Sequence, residues 1–299
     1  MITLKQMDYA LAVSKTLHFR KAAEECFVSP STLSNAITEM EKDLGFQIFE
    51  RNNKKVIVTN LGIEVLEKAQ SIRVQMLDIK HLTEKQSEPL SHMISIGIIP
   101  TVSPYLLPIM LPKIKKEFPN LLLKIEEGQS HSLLNKVKNG DLDIAILALP
   151  YDLNGLISLK FWEEDFYWIS HHQNKLAGKP QIRADQLEHS ELLLLEDGHC
   201  LKDHILDACK ISSNSKHILK ASSLVTLIQL VKGNMGSTLV PKMALTQLLA
   251  SHKDLSKSHL DEPGPHREIA LIIRPAYTGI KNAELLQSLC KDVLTEHHF

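Results

Sequence analysis

Two cysteines stand in one short polar segment of the C-terminal half of the chain. Cys200 follows the turn-forming residues Asp197, Gly198 and His199 and precedes a helical pattern. A thiol at the start of a helix, close to a histidine and a lysine, is expected to ionise more easily than a free cysteine. A thiolate attacks an oxidant to give a sulfenic acid, which a second thiol condenses to a disulfide. Cys209 is the candidate for that second thiol.

The spacing of these two cysteines predicts a switch and argues against a permanent crosslink. If residues 200–209 are helical, nine residues at a rise of ~1.5 Å separate the two sulfurs by about 13 Å along the axis. A disulfide needs Cα atoms about 4.4–6.8 Å apart. We therefore expect the bond to form only when the segment unwinds, which gives two discrete states.

The remaining composition indicates no other redox or metal chemistry. Cys26 and Cys290 lie on apolar helical faces and are expected to be ordinary buried residues. No CxxC pair occurs and the 15 histidines are scattered, so we expect neither a metal nor another cofactor. No apolar run is long enough to span a membrane and no signal pattern begins the chain, which favours a cytoplasmic protein without a membrane partner.

The first 59 residues carry the pattern of a helix-turn-helix. Apolar residues at helical spacing mark two helices and then a third from Pro30 to Leu44. Ser29 is a good N-cap, proline suits the first helical position, and Gly45 is suited to end the helix. In such an arrangement the later helix enters the major groove of DNA.

Bulk charge does not supply the attraction to DNA. Residues 1–90 contain 12 Lys and Arg against 12 Asp and Glu, so binding must come from individually placed residues. The outward side of the third helix and a β-wing with a basic tip provide them. The residues that we expect to contact DNA are Ser29, Ser31, Thr32, Asn35, Thr38, Arg51, Lys54 and Lys55.

A long helix is predicted from about Asn60 to Lys85. Its apolar positions between Leu61 and Leu82 follow a spacing close to a heptad, which is typical of a dimerisation helix. The alternative is an amphipathic helix packed on its own domain. The polar segment 86–89 that follows is typical of a linker.

The run from His18 to Arg51 resembles the winged helix-turn-helix of the LysR family of transcriptional regulators. It shares the paired Ala22-Ala23, the spacing that ends at Gly45, and the closing Phe-Glu-Arg. The resemblance implies an all-α winged helix-turn-helix domain at 1–59, a linker and dimerisation helix at 60–86, and an α/β effector domain at 91–299.

The C-terminal part resembles the effector domain of the same family, which is similar to periplasmic binding proteins. Strand and helix patterns alternate from Met93, and the strand at 142–149 is apolar on both faces, as in a parallel sheet covered on both sides. The resemblance implies two subdomains joined by two crossings, near residues 163 and 267. Subdomain I would comprise 91–163 and 268–299, and subdomain II would comprise 164–267.

The segment LEDGHCLKD, at 195–203, is similar to the redox loop of the peroxide-sensing members of the LysR family. This resemblance implies that hydrogen peroxide oxidises Cys200 as the peroxidatic thiol, and that Cys209 resolves it in a reversible disulfide. Ser130 stands where these members have a threonine, and Lys202 replaces an arginine and so loses its planar fork. The residues implied around the peroxide are Thr101, Ser130, His199, Lys202, Asp203 and Arg267.

The resemblance also implies partners and leaves two alternatives. It implies double-stranded DNA, a homodimer and homotetramer, RNA polymerase, and a cellular thiol reductant of the glutaredoxin or thioredoxin type. One alternative is a LysR regulator that binds a small anionic effector between the subdomains through Thr101, Ser103 and Ser130. The other is an enzyme, a thiol peroxidase. The winged helix argues against it, as does the absence of any enzymatic signature beyond one cysteine pair.

Overall fold

The computed structural model describes residues 1–52, 55–82, 89–187, 192–210, 220–250 and 252–297. The chain divides into two compact units, Met1–Thr83 and Glu84–Phe299. Among the described residues no helix is both long and apolar enough to cross a membrane.

The first unit is a helical domain with a two-stranded wing. Its elements are α1 (Leu4–Thr16), α2 (Phe19–Glu25), α3 (Pro30–Leu44), β1 (Phe49–Asn52), β2 (Lys55–Val58) and α4 (Asn60–Leu82). The predicted ends of α3 are confirmed: the Ser29 hydroxyl accepts a hydrogen bond from the backbone N–H of Thr32 at 3.1 Å, and Gly45 ends the helix at φ 78°. Strands β1 and β2 pair antiparallel.

Helix α4 packs one side on its own domain and leaves apolar side chains exposed elsewhere, so its role in dimerisation stays a prediction. Leu66 and Ala69 are buried in the first unit, as an amphipathic helix on its own domain requires. The predicted end at Lys85 and the linker up to residue 88 lie outside the described residues. Other large apolar side chains of α4 remain exposed, namely Leu61, Ile63, Met76 and Ile79.

The second unit begins with a five-stranded sheet of order β4-β3-β5-β13-β6. Strands β3, β4 and β5 are parallel, whereas β13 runs antiparallel to both β5 and β6. All six residues of β5 are buried, as the apolar pattern predicts. The elements are β3 (Met93–Ile98), α5 (Ser103–Glu117), β4 (Leu122–Glu127), α6 (Ser130–Lys138), β5 (Ile144–Leu149), β6 (Ile157–Glu164), β13 (Arg267–Ile273) and α10 (Ile280–Glu296).

A second sheet of order β11-β7-β12-β8 forms the other half of this unit. Strands β9 and β10 form a separate short parallel pair. The elements are β7 (Phe166–His171), β8 (Gln181–Ile182), β9 (Leu194–Leu195), α7 (Cys200–Ala208), β10 (Lys220–Ala221), α8 (Leu224–Lys232), β11 (Thr238–Pro241), α9 (Leu245–Leu249) and β12 (Leu255–Leu260).

The chain passes between the two sheets twice. It leaves the first sheet after Glu164 and returns to it at Arg267. These two residues are partners in the antiparallel register of β6 and β13, so the crossings lie side by side. Any charge at one crossing is therefore close to the other.

Candidate functional site

Helix α7 carries both candidate redox cysteines, one at each end. Cys200 is its first residue and Cys209 follows its last. Both thiols are free and buried. Nine residues of helix place the two cysteines about 13 Å apart along the axis, which is beyond the reach of a disulfide. The structure therefore shows the dithiol state, and the expectation that the bond requires unwinding is consistent with this geometry.

Cys200 faces a narrow crevice between the two subdomains. The crevice encloses about 160 Å³ of non-atom space and leaves no room for a water molecule in this conformation. A small oxidant therefore requires the surrounding side chains to shift before it reaches the sulfur. The lining comes from the loop before α5, the start of α6 and the turn before α7: Ile99, Pro100, Thr101, Gln129, Ser130, Gly198, His199 and Cys200.

Burial dominates the ionisation of Cys200. It raises the pKa of the thiol, while the Ser130 hydroxyl, the Arg267 cation and a backbone hydrogen bond at Ala148 lower that pKa less strongly, and Asp203 raises it. The Ser130 hydroxyl forms no hydrogen bond of normal geometry within the described residues, so its interaction with the sulfur is weak. The expectation of an easily ionised thiol is therefore wrong for this state, because desolvation outweighs the favourable charges.

The charges beside Cys200 differ from those expected. Burial lowers the pKa of His199, so the imidazole favours its neutral form. Lys202 pairs with the Asp197 carboxylate, which also binds Lys220 at 2.9 Å and has its pKa lowered to about 2 by these two lysines. The charge of Lys202 is therefore paired with Asp197 in the turn before α7. Neither Lys202 nor the exposed Asp203 lines the crevice.

The cation that acts on Cys200 is Arg267, held in a buried network. Its Nε donates to Glu164 Oε1 at 2.8 Å, and its Nη2 lies 2.6 Å from the same oxygen. Its Nη1 donates to the Thr101 hydroxyl at 3.2 Å, and its Nη2 to the Thr101 carbonyl at 3.3 Å. Both charged side chains are fully buried, so this is no surface ion pair.

Glu164 was not singled out from the sequence, although the expected position of the two crossings could have indicated it. The two crossings were expected near residues 163 and 267, and adjacent crossings bring a basic residue at one against an acidic residue at the other. The second carboxylate oxygen of Glu164 accepts the backbone N–H of Met243 at 2.8 Å. Glu164 therefore connects both crossings to a short helical turn of subdomain II.

Gln129 is a second residue that sequence reasoning missed. Its side chain covers Gly198, where an added Cβ would lie 2.6 Å from the Gln129 Oε1. Gly198 has φ +96°, a conformation that favours glycine. The Gln129 Nε2 donates to the Asp197 carbonyl at 3.5 Å, a weak bond that joins the two subdomains over the crevice.

The other three cysteines are poor nucleophiles in this state. Burial raises the pKa of Cys209 to about 12, with a smaller contribution from Glu262, and raises that of Cys290 to about 12. Cys26 is half-buried and burial raises its pKa as well. Among the described residues no group of His, Cys, Asp and Glu is arranged to hold a metal ion.

A cluster of hydroxyls marks the start of α3 on the first unit. The Ser29 Oγ lies 2.8 Å from both the Ser31 Oγ and the Thr32 Oγ1, and all three residues are exposed. Asn35 is exposed one turn further along α3, and Lys55 is exposed on the wing. Lys54 lies outside the described residues. These groups can donate to phosphate oxygens and base edges.

Arg51 is committed to contacts inside the domain. Its guanidinium donates to the Ser34 hydroxyl at 3.0 Å and to Glu41 at 3.1 Å, and it lies over the Phe19 ring at 4.3 Å. A weaker bond at 3.5 Å reaches the Thr38 hydroxyl. Arg51 thus fixes α3 against the wing and α2, and Thr38 is partly occupied by the same network.

Family comparisons assign the class of the chain. Residues 4–63 match the "Bacterial regulatory helix-turn-helix protein, lysR family", and residues 87–295 match the "LysR substrate binding domain". The chain belongs to the LysR family of DNA-binding transcriptional regulators and is not an enzyme. The expected fold, a winged helix-turn-helix followed by a LysR effector domain, is confirmed.

The most similar proteins include regulators of the OxyR kind. The HTH-type transcriptional regulator EstR of Acinetobacter baylyi is 36% identical, covering 99% of this chain and 98% of that protein. A hydrogen peroxide-inducible genes activator of Dickeya chrysanthemi is 33% identical over 92% of this chain and 90% of its own length. The structure of a cysteine-to-aspartate variant of full-length OxyR from Pseudomonas aeruginosa superposes with a TM-score of 0.78 at 29% identity, covering 97% and 95% of the two chains.

Proposed function

We propose that this protein is a cytoplasmic transcriptional regulator that senses hydrogen peroxide and controls oxidative-stress genes. The observation that carries the proposal is the placement of Cys200. Its thiol faces a small crevice and lies within the electrostatic influence of a buried arginine, and a second thiol is held at the far end of the same helix. Relatives that carry the name of hydrogen peroxide-inducible activators support the choice of oxidant.

The chemistry takes place in two steps. The Cys200 thiolate attacks one peroxide oxygen, the O–O bond breaks, and the leaving hydroxide takes a proton to become water. Sulfur loses two electrons and becomes a sulfenic acid. The Cys209 thiol then attacks that sulfur, an S–S bond forms, and the hydroxyl leaves as water. A thiol reductant of the glutaredoxin or thioredoxin type returns both cysteines to thiols.

The second step requires α7 to unwind, and that rearrangement would carry the signal. We infer that residues 198–225 and the strand after them repack on oxidation, part of which, 211–219, lies outside the described residues. Repacking at a contact between effector domains would change the distance between paired winged helices. Half-sites on DNA are spaced by a helical turn of about 34–36 Å, so a small rotation changes the fit.

We assign the remaining roles by the same reasoning. DNA contacts would come from Ser29, Ser31, Thr32 and Asn35, supported by their exposure, and from the wing lysines, while Thr38 and Arg51 act through the position of α3. The functional segments would be 1–59, 60–86 and 91–299. A homodimer through α4, a homotetramer and contact with RNA polymerase complete the proposal.

A second candidate is regulation by a small anionic effector. It is favoured by the 36% identity to EstR, whose name mentions no oxidant, and by the buried Ser130 hydroxyl that lacks a hydrogen bond of normal geometry. Two features argue against it. An effector larger than peroxide would need a wider opening of a crevice that leaves no room even for water, and Glu164 already neutralises Arg267.

The test is the state of each cysteine after one equivalent of hydrogen peroxide. Free thiols are alkylated and the peptides are quantified by mass spectrometry. We expect a Cys200–Cys209 disulfide, with Cys26 and Cys290 still alkylated, together with a changed DNA footprint. An unchanged thiol state alongside full DNA binding would favour the small-effector candidate.

A further inference from the structure

The pairing of Glu164 with Arg267 is unusually complete for a buried ion pair. Neither side chain is exposed to solvent. One oxygen of Glu164 accepts from the Arg267 Nε at 2.8 Å and lies 2.6 Å from Nη2, and the other accepts from the Met243 backbone at 2.8 Å. Removing two charges from water is costly, and a well-packed apolar pair often stabilises a protein as well. Stability alone therefore does not account for the pair.

The network fixes the direction of the guanidinium. Glu164 holds one edge of Arg267, formed by Nε and Nη2, and the opposite corner, Nη1, donates to the Thr101 hydroxyl at 3.2 Å. Because a guanidinium is planar and rigid, holding one edge sets the position of the other. Thr101 and Cys200 both line the crevice, and the Arg267 charge favours the Cys200 thiolate.

The geometry points to Glu164 as a positioning residue for the reaction of Cys200 with peroxide. Glu164 is not among the residues that line the crevice, and it acts by holding Arg267 and, through it, the Thr101 hydroxyl. The inference rests on the proposed peroxide chemistry. In that step negative charge moves from sulfur to the leaving hydroxide as the O–O bond breaks. The Arg267 cation and the Thr101 hydroxyl stabilise that charge best if they already point towards the leaving oxygen before the reaction.

The test compares two reactions of the same thiol in the full-length protein. Cys200 oxidation by hydrogen peroxide and its alkylation by iodoacetamide are both measured on the Cys200 peptide by mass spectrometry. Each rate is proportional to the thiolate fraction, so that fraction cancels in their ratio. Alkylation expels iodide and needs no proton or hydroxyl held at a leaving oxygen, so it reports the thiolate fraction and access to the sulfur.

We expect Glu164→Gln to lower the ratio of peroxide rate to alkylation rate by about 10- to 100-fold, with alkylation itself within about 2-fold of wild type. Glu164→Asp keeps the charge but shortens the reach, and should lower the ratio by a smaller factor. The matched control is Glu163→Gln, an exposed neighbour on β6, which should leave the ratio unchanged.

Two results overturn the inference. One is a folded Glu164→Gln protein with the wild-type ratio. The other is a parallel change in both rates, which is the signature of an altered thiolate fraction or a loosened structure and not of positioning at the leaving oxygen. If Glu164→Gln does not fold, Glu164→Asp decides by the same ratio, and a wild-type value there rejects the role. Failure of the proposed function is distinct, because the wild-type protein would then not react with peroxide at all.

Discussion

At the scale of single residues, the reactivity of Cys200 depends first on burial and second on charge. Burial raises the pKa of its thiol, and Arg267 offsets only part of that rise. The nucleophile is the thiolate, and a raised pKa leaves most of the thiol protonated at neutral pH. We therefore expect the rate of Cys200 oxidation to increase with pH from 7 through the ordinary thiol range, as measured by stopped-flow mixing with peroxide. A rate that is constant above pH 6 would mean that the thiolate is already formed.

The two cysteines of α7 should differ in what their loss does. Cys200→Ser should abolish the response to peroxide, since Cys200 lines the crevice and the other described thiols do not. Cys209→Ser should leave a sulfenic acid with no partner, which further peroxide converts to a sulfinic acid. Mass spectrometry of the Cys200 peptide distinguishes these products. Cys26→Ser and Cys290→Ser are the controls, and loss of the response in either would contradict the assignment.

The sequence predicted which residues meet at the crevice but not their electrostatics. It named Cys200, Thr101, Ser130 and His199, and these meet at one crevice. It assigned the local positive charge to the sequence neighbours of Cys200. The sequence shows which residues are adjacent in the chain but not which of them are buried beside the thiol. Arg267 was named for its place at a crossing. Its partner Glu164 was missed, because a pair that is distant in sequence follows from strand register and leaves no local pattern.

At the scale of elements, α7 is the part that must move. His204 lies on it, buried, with Nε2 2.8 Å from the Pro150 carbonyl of subdomain I. Closing a Cys200–Cys209 bond breaks this contact together with the helix. We expect hydrogen exchange to show protected amides at 200–209 in the reduced protein and loss of protection after oxidation. Equal protection in both states, with identical DNase footprints, would show that the disulfide is not the switch.

Arg51 should act on the recognition helix and not on phosphate. Arg51→Ala removes its hydrogen bonds to Ser34 and Glu41 and its stacking on Phe19. We expect the free energy of unfolding to fall by about 1–2 kcal/mol and DNA affinity to fall with it. The comparison is Lys55→Ala, which should reduce the slope of log affinity against log salt concentration by about 1. A reduced salt slope for Arg51→Ala would instead indicate a direct phosphate contact.

The ends of a helix or strand could be predicted from the sequence where the residues that set them are close by in the chain. The ends of α3 follow from Ser29, Pro30 and Gly45, which are all adjacent to the helix. The apolar run 192–195 forms a strand only at Leu194–Leu195, with Leu192 in an isolated bridge to Ser237. Its extent depends on partners far along the chain, so apolar pattern alone cannot set it.

At the scale of the whole molecule, α4 offers a surface for a second copy. Its exposed Leu61, Ile63, Met76 and Ile79 are costly to leave in water. We expect sedimentation equilibrium at micromolar concentration to show a dimer or tetramer, and Ile79→Glu to shift it towards smaller species. Ile57→Glu, an equally exposed apolar position on the wing, is the control. A monomeric wild-type protein would contradict the proposed assembly.

The placement of both thiols on one helix affects how fast the disulfide can form. Oxidation of Cys200 and formation of the disulfide are separated by the spontaneous opening of α7, so the helix imposes a delay. A brief pulse of oxidant produces sulfenic acid that a reductant can reverse before the helix opens, whereas a sustained dose accumulates as disulfide. The protein would then respond to sustained oxidant and ignore brief pulses. Its time constant is the reciprocal of the opening rate of these nine helical residues, and substitutions that stabilise the helix should lengthen the exposure to oxidant that is needed to form the disulfide.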